Sequence, residues 1–245
     1  MNLRQWNKMN SIHENNISLD EDSHVYSLSD KNIEFTSVTT YISDFFEKFN
    51  QIEVAKKLIK TSMKYAHRSI DDIIEDWNVS RDYGTFVHKQ IENHFRGVSD
   101  ATDMKAKHGV QWLVNFTENR ICDIHVEKII FSEELKLAGT MDVLIYLKES
   151  DEYIIIDWKT NKKIDTRSFR NKMGTHHITS NIEDCKYNVY AFQLSLYRYL
   201  LETYYGLKIK QQIIAHIDDN GVNAYLPPYY KGHMEAISNL RKDSI

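Results

Sequence analysis

The chain has 245 residues, of which 42% are hydrophobic and 27% are charged, and its net charge is −4. These values are typical of an ordinary globular protein, and the length suits one large domain. Because 35 acidic residues outnumber 31 basic ones, a uniformly basic surface is excluded, and any site for a polyanion must be a local patch.

The two cysteines, Cys122 and Cys185, are too few for a disulfide framework in a chain of this length. A reducing environment is the expected setting for such a protein. The first residues contain no apolar segment typical of a secretory signal, and no run approaches the roughly 18 apolar residues of a membrane span. We therefore expect a cytoplasmic protein with no membrane partner.

The first half of the chain is predicted to be mainly helical. Residues 1–22 are polar and are expected to be loose at the terminus, and the single folded domain is expected over 23–245. A short β-hairpin is predicted from residues 25–28 and 33–36 around a turn at 30–32. Helices are then predicted at 44–49, 52–68, 69–77, 84–95 and 101–118. These helices form a predicted N-terminal helical cap at about 44–118, which overlaps a core at about 84–245.

From residue 122 onward the sequence is typical of strands. Three are predicted at 126–132, 137–146 and 153–159, and a buried helix follows at 189–205. The polar segment 161–188 between them is long for a structureless loop, which suggests a functional element. A strand pair at 209–217 and 222–226 and a helix at 233–241 complete the chain. The predicted fold class is α/β (α+β), with a mixed central sheet flanked by helices.

Acidic residues end two neighbouring predicted strands. Asp142 follows Gly139-Thr-Met, and Asp157-Trp-Lys159-Thr ends the next strand. Side chains alternate faces along a strand, so Asp157 and Lys159 share one side, and a hairpin can bring Asp142 beside them. Carboxylate oxygens suit Mg²⁺ or Mn²⁺, the backbone carbonyl of Trp158 can add a ligand, and Lys159 can orient water or stabilise phosphate charge. The alternative is a solvated salt bridge on a surface strand.

A second candidate lies on the predicted helix that follows Gly84. His88 and Glu92 are four residues apart, so they share one helical face. His88 can bind a metal through a neutral ring nitrogen, and Glu92 can be a weaker further ligand or can fix the tautomer of His88. The alternative is an exposed helical His–Glu pair.

A third candidate lies on the predicted buried helix. Gln193 and Tyr197 share one face of an otherwise apolar helix. A buried amide and a buried phenol need hydrogen-bond partners, which an active-site carboxylate can supply. Ordinary backbone groups are the alternative partners.

These motifs, in this order, resemble the PD-(D/E)XK nuclease superfamily over residues 84 to about 200. The resemblance is to its RecB-type branch, which includes mitochondrial, phage-encoded and CRISPR-associated exonucleases. It implies a restriction-endonuclease-like core in which His88, Asp142 and Asp157 bind the metal. It also implies that Lys159 is catalytic and that Gln193 and Tyr197 position it or the substrate.

Two departures from the family pattern stand out. Met141 precedes Asp142 where the pattern has proline. Iron–sulfur members carry four cysteines, and this chain has two, so no Cys₄ cluster is expected. Glu127, on the preceding strand, occupies a position where some relatives have an acid.

A basic segment follows the Asp-Trp-Lys motif, where a polyanionic substrate would lie. Neutralising phosphates beside the metal is the expected role of this segment, and a solvated loop is the alternative. Phe169 and Tyr187 are candidates for stacking on the bases of a single strand. The basic residues expected to bind DNA are Lys162, Lys163, Arg167, Arg170 and Lys172.

Zinc is the rival metal. Cys122 and His125 form half of a site, and the pair His176 and His177 with Cys185 can complete it. The spacing is irregular and contains no second tight pair, which disfavours structural zinc.

The sequence therefore predicts a Mg²⁺- or Mn²⁺-dependent exonuclease that hydrolyses DNA in replication, recombination or repair, where it can meet protein partners of those pathways. A structure-selective endonuclease of the same superfamily is one alternative. A non-catalytic DNA-binding protein on the same fold is the other.

Overall fold

The computed structural model describes residues 17–20, 23 and 25–245, and residues 1–16 of the predicted loose segment lie outside this description. The described strands are β1 (Ile17–Asp20), β2 (Val25–Leu28), β3 (Thr36–Ser37), β4 (Cys122–Ser132), β5 (Leu137–Leu147), β6 (Glu152–Lys159), β7 (Ile209–Asp218) and β8 (Gly221–Tyr225). The described helices are α1 (Val38–Ser43), α2 (Gln51–Thr61), α3 (Ile70–Phe95), α4 (Met104–Thr117), α5 (Lys186–Tyr204) and α6 (Lys231–Asp243).

The central sheet is mixed, as the sequence predicts. β4, β5 and β6 are antiparallel neighbours, β6 pairs with β7 in parallel, and β8 closes the far edge as an antiparallel hairpin. The short β3 pairs in parallel with the beginning of β5. The parallel pair places the ends of β6 and β7 side by side, because α5 returns the chain across the sheet between them.

Helices cover both faces of this sheet. Tyr153 and Ile155 of β6 belong to the cluster of buried side chains that includes α1, α5 and α6. Ile154 and Ile156 belong to the opposite cluster, with α3 and α4. This alternation confirms the predicted two faces of β6 and explains its apolar sequence, since both faces of the strand are buried.

The predicted N-terminal hairpin is wrong in its pairing. β2 pairs with β1 and not with residues 33–36, so Ile17–Asp20 of the predicted loose segment is a strand. Tyr26 and Leu28 alternate inward and are buried with Phe35 and Phe131. A strand whose alternate residues are buried requires a partner in matching register, and β1 supplies it.

Two helix predictions are also corrected. The first helix spans Val38–Ser43 and not 44–49, because the Ser37 side chain accepts a hydrogen bond from the Thr40 N–H and caps the helix earlier. The predicted helices 69–77 and 84–95 are one continuous helix, α3, which begins with a capping box between Ser69 and Asp72. No helix in the described part of the chain is both long and apolar enough to cross a bilayer.

Lys128, on β4, is a buried cation with only 6% of its surface exposed. Burial lowers the pKa of Lys128 from 10.5 to about 8. Between these two values the unfolded chain keeps a proton that the folded chain has released, so the free energy of unfolding rises with pH across that interval. At neutral pH the folded protein therefore carries the cost of a buried charge.

We expect Lys128→Met to raise the free energy of unfolding at pH 7 by about 1–2 kcal/mol, allowing for partial solvent screening of the ammonium group. The advantage should shrink as pH rises above 8, since the native lysine then becomes neutral. Urea denaturation at pH 7 and pH 10 measures both values. Lys107→Met, at an exposed position on α4, is the control, and an equal gain from Lys128→Met at both pH values would contradict the prediction.

Candidate active site

β5 loses its regular alternation at Asp142. Leu137 and Met141 face the cluster that contains α5, whereas Val143, two residues after Met141, faces the opposite cluster. Glu127 lies opposite Asp142 on the neighbouring strand β4 and has a φ of 49°. The residues before and after Glu127 pair with β5. Paired irregularities of this kind redirect side chains. Asp142 therefore departs from the regular inward and outward pattern of its strand.

The strand ends bring the predicted Asp-Trp-Lys motif to Asp142. The Trp158 N–H donates a hydrogen bond to Asp142 Oδ2 at 2.7 Å. Lys159 Nζ lies 2.6 Å from Asp157 Oδ2. Asp157 is only 5% exposed, so its charge depends on the groups that surround it. Two carboxylates and one ammonium group thus meet at the end of β6, as the sequence predicts.

His88 reaches this group from α3. Its Nδ1 atom lies 3.5 Å from Asp142 Oδ1. Gly84, one helical turn earlier, allows the approach, because a Cβ atom at this position would lie 2.8 Å from Thr160 Oγ1. A glycine in a helix interior costs about 1 kcal/mol relative to alanine. Here it lets α3 lie against the end of β6, which puts His88 beside Asp142.

Gln193 and Tyr197 approach from α5, on the opposite face of the sheet from α3. Gln193 Nε2 donates a hydrogen bond to Asp157 Oδ1 at 3.0 Å. The Tyr197 ring packs on Gly139, where an added Cβ atom would lie 2.7 Å from Tyr197 Cε1. The Gln193 amide, which is half-buried, is therefore satisfied by a site carboxylate and not by ordinary backbone groups, and Gly139 is the residue that lets α5 come this close.

The charges of the site are strongly coupled. Burial raises the pKa of Asp157 above its usual range, although Lys159 opposes the shift. Burial acts in the same sense on Asp142, but His88, Lys159 and the Trp158 N–H together lower the pKa of Asp142. Burial works to lower the pKa of Lys159, yet Asp157 and Asp142 outweigh it and raise that pKa. Lys159 is therefore a cation at neutral pH.

Tyr190, Asn161 and His216 complete the surroundings of the lysine, and the sequence does not predict them. The Tyr190 ring centre lies 4.5 Å from Lys159 Nζ, and its hydroxyl donates to Asn161 Oδ1 at 3.0 Å. His216 Nε2 donates to the Asn161 carbonyl at 2.6 Å. Tyr190 lies one turn before Gln193, so helical spacing carries a signal for it. His216 is the parallel partner of Lys159 across β6 and β7, which motif spacing does not show.

Glu92 is placed differently from the expectation. It forms ion pairs with Lys89 at 2.8 Å and with Arg96 at 2.7 Å, and these two cations on its own helix take the place of the predicted contact with His88. Glu127 lies close enough to Asp142 and Glu92 to sense both charges. Burial, followed by these two carboxylates, raises the pKa of Glu127 to about 9.

A cleft of about 1690 Å³ opens in front of the lysine. It exceeds the roughly 300–1,000 Å³ of small-molecule pockets. Nine lysine and arginine residues line it against four aspartate and glutamate residues, so the cleft is a local basic region in an acidic protein. α3 and the loop before α2 form one wall, and the segment after β6 forms the other.

The structure divides the predicted basic segment. Lys162, Lys163 and Arg167 line the cleft. Arg170 instead lies over the Phe169 ring, with 5.1 Å to its centre, and Lys172 pairs with Glu47. These two side chains have other partners because the backbone turns sharply at residues 170 and 171, where φ is positive.

The two aromatic candidates for base stacking also separate. Phe169 lines the cleft. Tyr187 turns toward β8, where its ring lies 6.0 Å from that of Tyr225 and its hydroxyl contacts the Leu226 carbonyl.

The donor set at the strand ends fits a divalent cation. Asp157 Oδ2 is buried, and apart from its close contact with Lys159 it receives no hydrogen bond of regular geometry. Asp142 Oδ1 has the ring of His88 as its neighbour. Among the described residues, no three side chains of His, Cys, Asp or Glu are gathered as a ready metal cluster, and Lys159 lies beside Asp157 Oδ2. Carboxylate oxygens of this kind suit Mg²⁺ or Mn²⁺.

The residues of the rival zinc site are dispersed. Cys122 belongs to β4 and packs against the cluster that contains α3 and α4. Cys185 caps the beginning of α5, and His176 packs on Phe45 with 5.0 Å between ring centres. Their positions offer no tetrahedral set of the kind that structural zinc requires.

A model of the PD-(D/E)XK nuclease superfamily matches residues 54–225 of the chain. The chain belongs to this superfamily. Its members use divalent metal ions, and the match includes every residue of the site described above. The mixed sheet flanked by helices is consistent with the restriction-endonuclease-like fold of the family.

Similarity to individual proteins is more limited. The chain is 29% identical over 96 residues to one of the subunits of the ATP-dependent helicase/nuclease of Carboxydothermus hydrogenoformans. This segment is 39% of the present chain and 7% of that much longer relative.

A comparison with solved structures gives two weak similarities, each at 11% identity. One is the crystal structure of SSO0001, which covers 97% of this chain and 82% of that one with a TM-score of 0.38. The other carries the name "Putative exonuclease" from Eubacterium rectale, and it covers 85% of this chain and 77% of that one with a TM-score of 0.36.

The glycine contact between α3 and β6 generates a test. We expect Gly84→Ala to lower the rate of cleavage by about tenfold or more, because the added methyl group displaces His88 from Asp142, and small misplacements in active sites have effects of this size. Thr160→Ala removes the opposing Oγ1 atom, so the double variant should recover most of the lost rate. Steady-state kinetics on labelled DNA measures both.

Gly232→Ala is the matched control for that test, since Gly232 also lies in a helix, α6, and an added Cβ atom there meets nothing within 4 Å. It should leave the rate unchanged. A Gly84→Ala protein with the native rate would contradict the role of this contact.

Proposed function

We propose that the protein is a Mg²⁺- or Mn²⁺-dependent deoxyribonuclease that acts as an exonuclease. The observation that carries this proposal is the meeting of Asp142, Asp157 and Lys159 at the end of β6, where Lys159 lines a basic cleft. Membership of a nuclease superfamily supports the reaction class, which is hydrolysis of a phosphodiester bond.

The ligand set proposed for the cation is His88, Asp142, Asp157 and the backbone carbonyl of Trp158, with Glu92 and Glu127 as weaker candidates. A divalent ion in this set supplies Lewis acidity toward the phosphate and lowers the pKa of water. The His88 ring must be neutral to bind a cation. Asp142 and Asp157 supply two negative charges, which one divalent ion balances.

Lys159 contributes a positive charge beside the scissile phosphate. Because its pKa is raised and it is a cation at neutral pH, its proposed part is to orient the attacking water and to stabilise charge that grows on the phosphate, and not to act as a base. Gln193 holds Asp157 by a hydrogen bond, Tyr197 supports Gln193 from the next turn, and Tyr190 limits the positions of the ammonium group from above.

The cleft provides the proposed contacts to DNA. Lys162, Lys163 and Arg167 line it next to the site and can neutralise phosphates there. Arg170 and Lys172, which do not line the cleft, are weaker candidates for this role. The preference for an exonuclease over an endonuclease comes from the resemblance of the motifs to the RecB-type branch, which includes exonucleases.

The biological setting proposed for this reaction is DNA replication, recombination or repair. The name of the helicase/nuclease relative supports a partnership with DNA-processing proteins. A structure-selective endonuclease with the same chemistry is the second candidate, because the site itself does not distinguish ends from internal bonds.

The lysine and its neighbouring carboxylate provide the first test of the chemistry. Lys159→Ala and Asp157→Asn should each reduce cleavage at least about 100-fold, because these groups act in the transition state. DNA binding by Lys159→Ala should stay close to native. Cleavage of labelled DNA with Mg²⁺ or Mn²⁺, with and without chelator, measures the effect. Lys107→Met serves as the control, and near-native cleavage by either site variant would show that the site is assigned wrongly.

The mode of attack has its own test. An enzyme that accepts strands by their ends should shorten linear DNA progressively and spare covalently closed circles. Product ladders from end-labelled linear DNA, compared with circular single-stranded and double-stranded DNA, give the answer. Rapid cutting of intact circles would replace the exonuclease proposal with the endonuclease one.

A further inference from the structure

Phe49, Trp77 and Phe169 are three of the aromatic side chains that line the cleft, and the part of the cleft that they line is called the outer cleft. Phe49 precedes α2, Trp77 lies on α3, and Phe169 lies in the segment after β6. Phe49 is 63% exposed and Phe169 is 65% exposed. Isolated exposed apolar residues are common on proteins, but these rings share one cleft, and that cleft is basic.

The rings are held in place without being covered. Phe49 and Trp77 pack edge to face, with 5.1 Å between ring centres and 63° between planes. Two cations lie near the Phe169 ring, with Lys57 Nζ at 5.7 Å and the Arg170 guanidinium at 5.1 Å from its ring centre. Contacts of this kind orient a ring and leave part of its surface to solvent.

Aromatic rings in a basic groove match the chemistry of one ligand. Single-stranded nucleic acid offers phosphates to the cations and the faces of its bases to the rings. In a duplex the bases are stacked on one another, so their faces are closed to protein side chains. The exposed rings therefore add binding energy only for a strand whose bases are unpaired.

We infer that the outer cleft is a stacking site for the unpaired bases of single-stranded nucleic acid, with Phe49 and Phe169 as its two platforms and Trp77 as the support of Phe49. The strand passes from these platforms to Lys159 along Lys162 and Lys163. This inference rests on the proposed function, because it assumes that phosphodiester hydrolysis takes place beside Lys159. It adds that the substrate of that reaction is a single strand of nucleic acid.

The test measures binding and not cleavage. The full chain is titrated in the presence of chelator against a labelled oligothymidylate, a blunt duplex of the same length, and a strand of the same length built of abasic units. Phe49→Ala and Phe169→Ala are the test variants. Phe86→Ala is the matched control, because Phe86 is 50% exposed on α3 and does not line the cleft.

Each test variant should weaken binding of oligothymidylate by about fivefold or more, since a base stacked on an aromatic ring contributes roughly 1–3 kcal/mol. Binding of the duplex and of the abasic strand should change by less than about twofold. Phe86→Ala should bind all three probes like the native chain. Phe49 and Phe169 are exposed, so their truncation should leave the fold intact, and circular dichroism of each variant verifies this.

Two results would overturn the inference: native affinity of both variants for oligothymidylate, or an equal loss of affinity for the abasic strand. The result is separable from the proposed function. A chain that binds oligothymidylate through these rings but cleaves no DNA with Mg²⁺ or Mn²⁺ keeps the stacking site and loses the nuclease proposal. A chain that cleaves DNA but binds oligothymidylate equally well without the rings keeps the nuclease proposal and loses the stacking site.

Discussion

Asp157 ends a strand that is buried on both faces, and a carboxylate in that position is costly unless other groups balance its charge. Lys159 approaches one oxygen and Gln193 donates a hydrogen bond to the other. Glycines permit the helix packing around this carboxylate: Gly139 beside α5, which carries Gln193, and Gly84 on α3, which carries His88. Gly139 lets the Tyr197 ring and hence α5 come close, and Gly84 lets α3 come close from the other face. The packing of the helices against the sheet therefore determines which groups surround the Asp157 carboxylate.

The same constraint explains which parts of the site could be predicted from sequence. Asp142, Asp157 and Lys159 were predictable because strand alternation and one hairpin bring them together, and the structure places them as expected. Gln193 and Tyr197 are predictable because they are polar side chains on one face of an otherwise apolar helix. His216 is not predictable in this way, since it joins the site through the parallel pairing of β6 with β7, which no local pattern encodes.

The errors have equally local causes. Glu92 was expected beside His88, but Lys89 and Arg96 lie three and four residues from it on the same helix and pair with it first. The sequence predicts two helices in place of α3 because residues 78–83 lack an apolar stripe; in the structure none of these residues is buried, yet the helix continues through them. The β1–β2 hairpin was missed because its first strand has only four residues within a polar terminus.

The continuity of α3 has a mechanical meaning. Trp77 at the outer cleft and His88 beside Asp142 are eleven positions apart on one unbroken helix, a distance of about 16 Å at 1.5 Å per residue. A displacement of Trp77 along this continuous helix would carry His88 with it. If binding in the outer cleft changes the affinity for the cation, the cation must change the affinity for nucleic acid by the same factor.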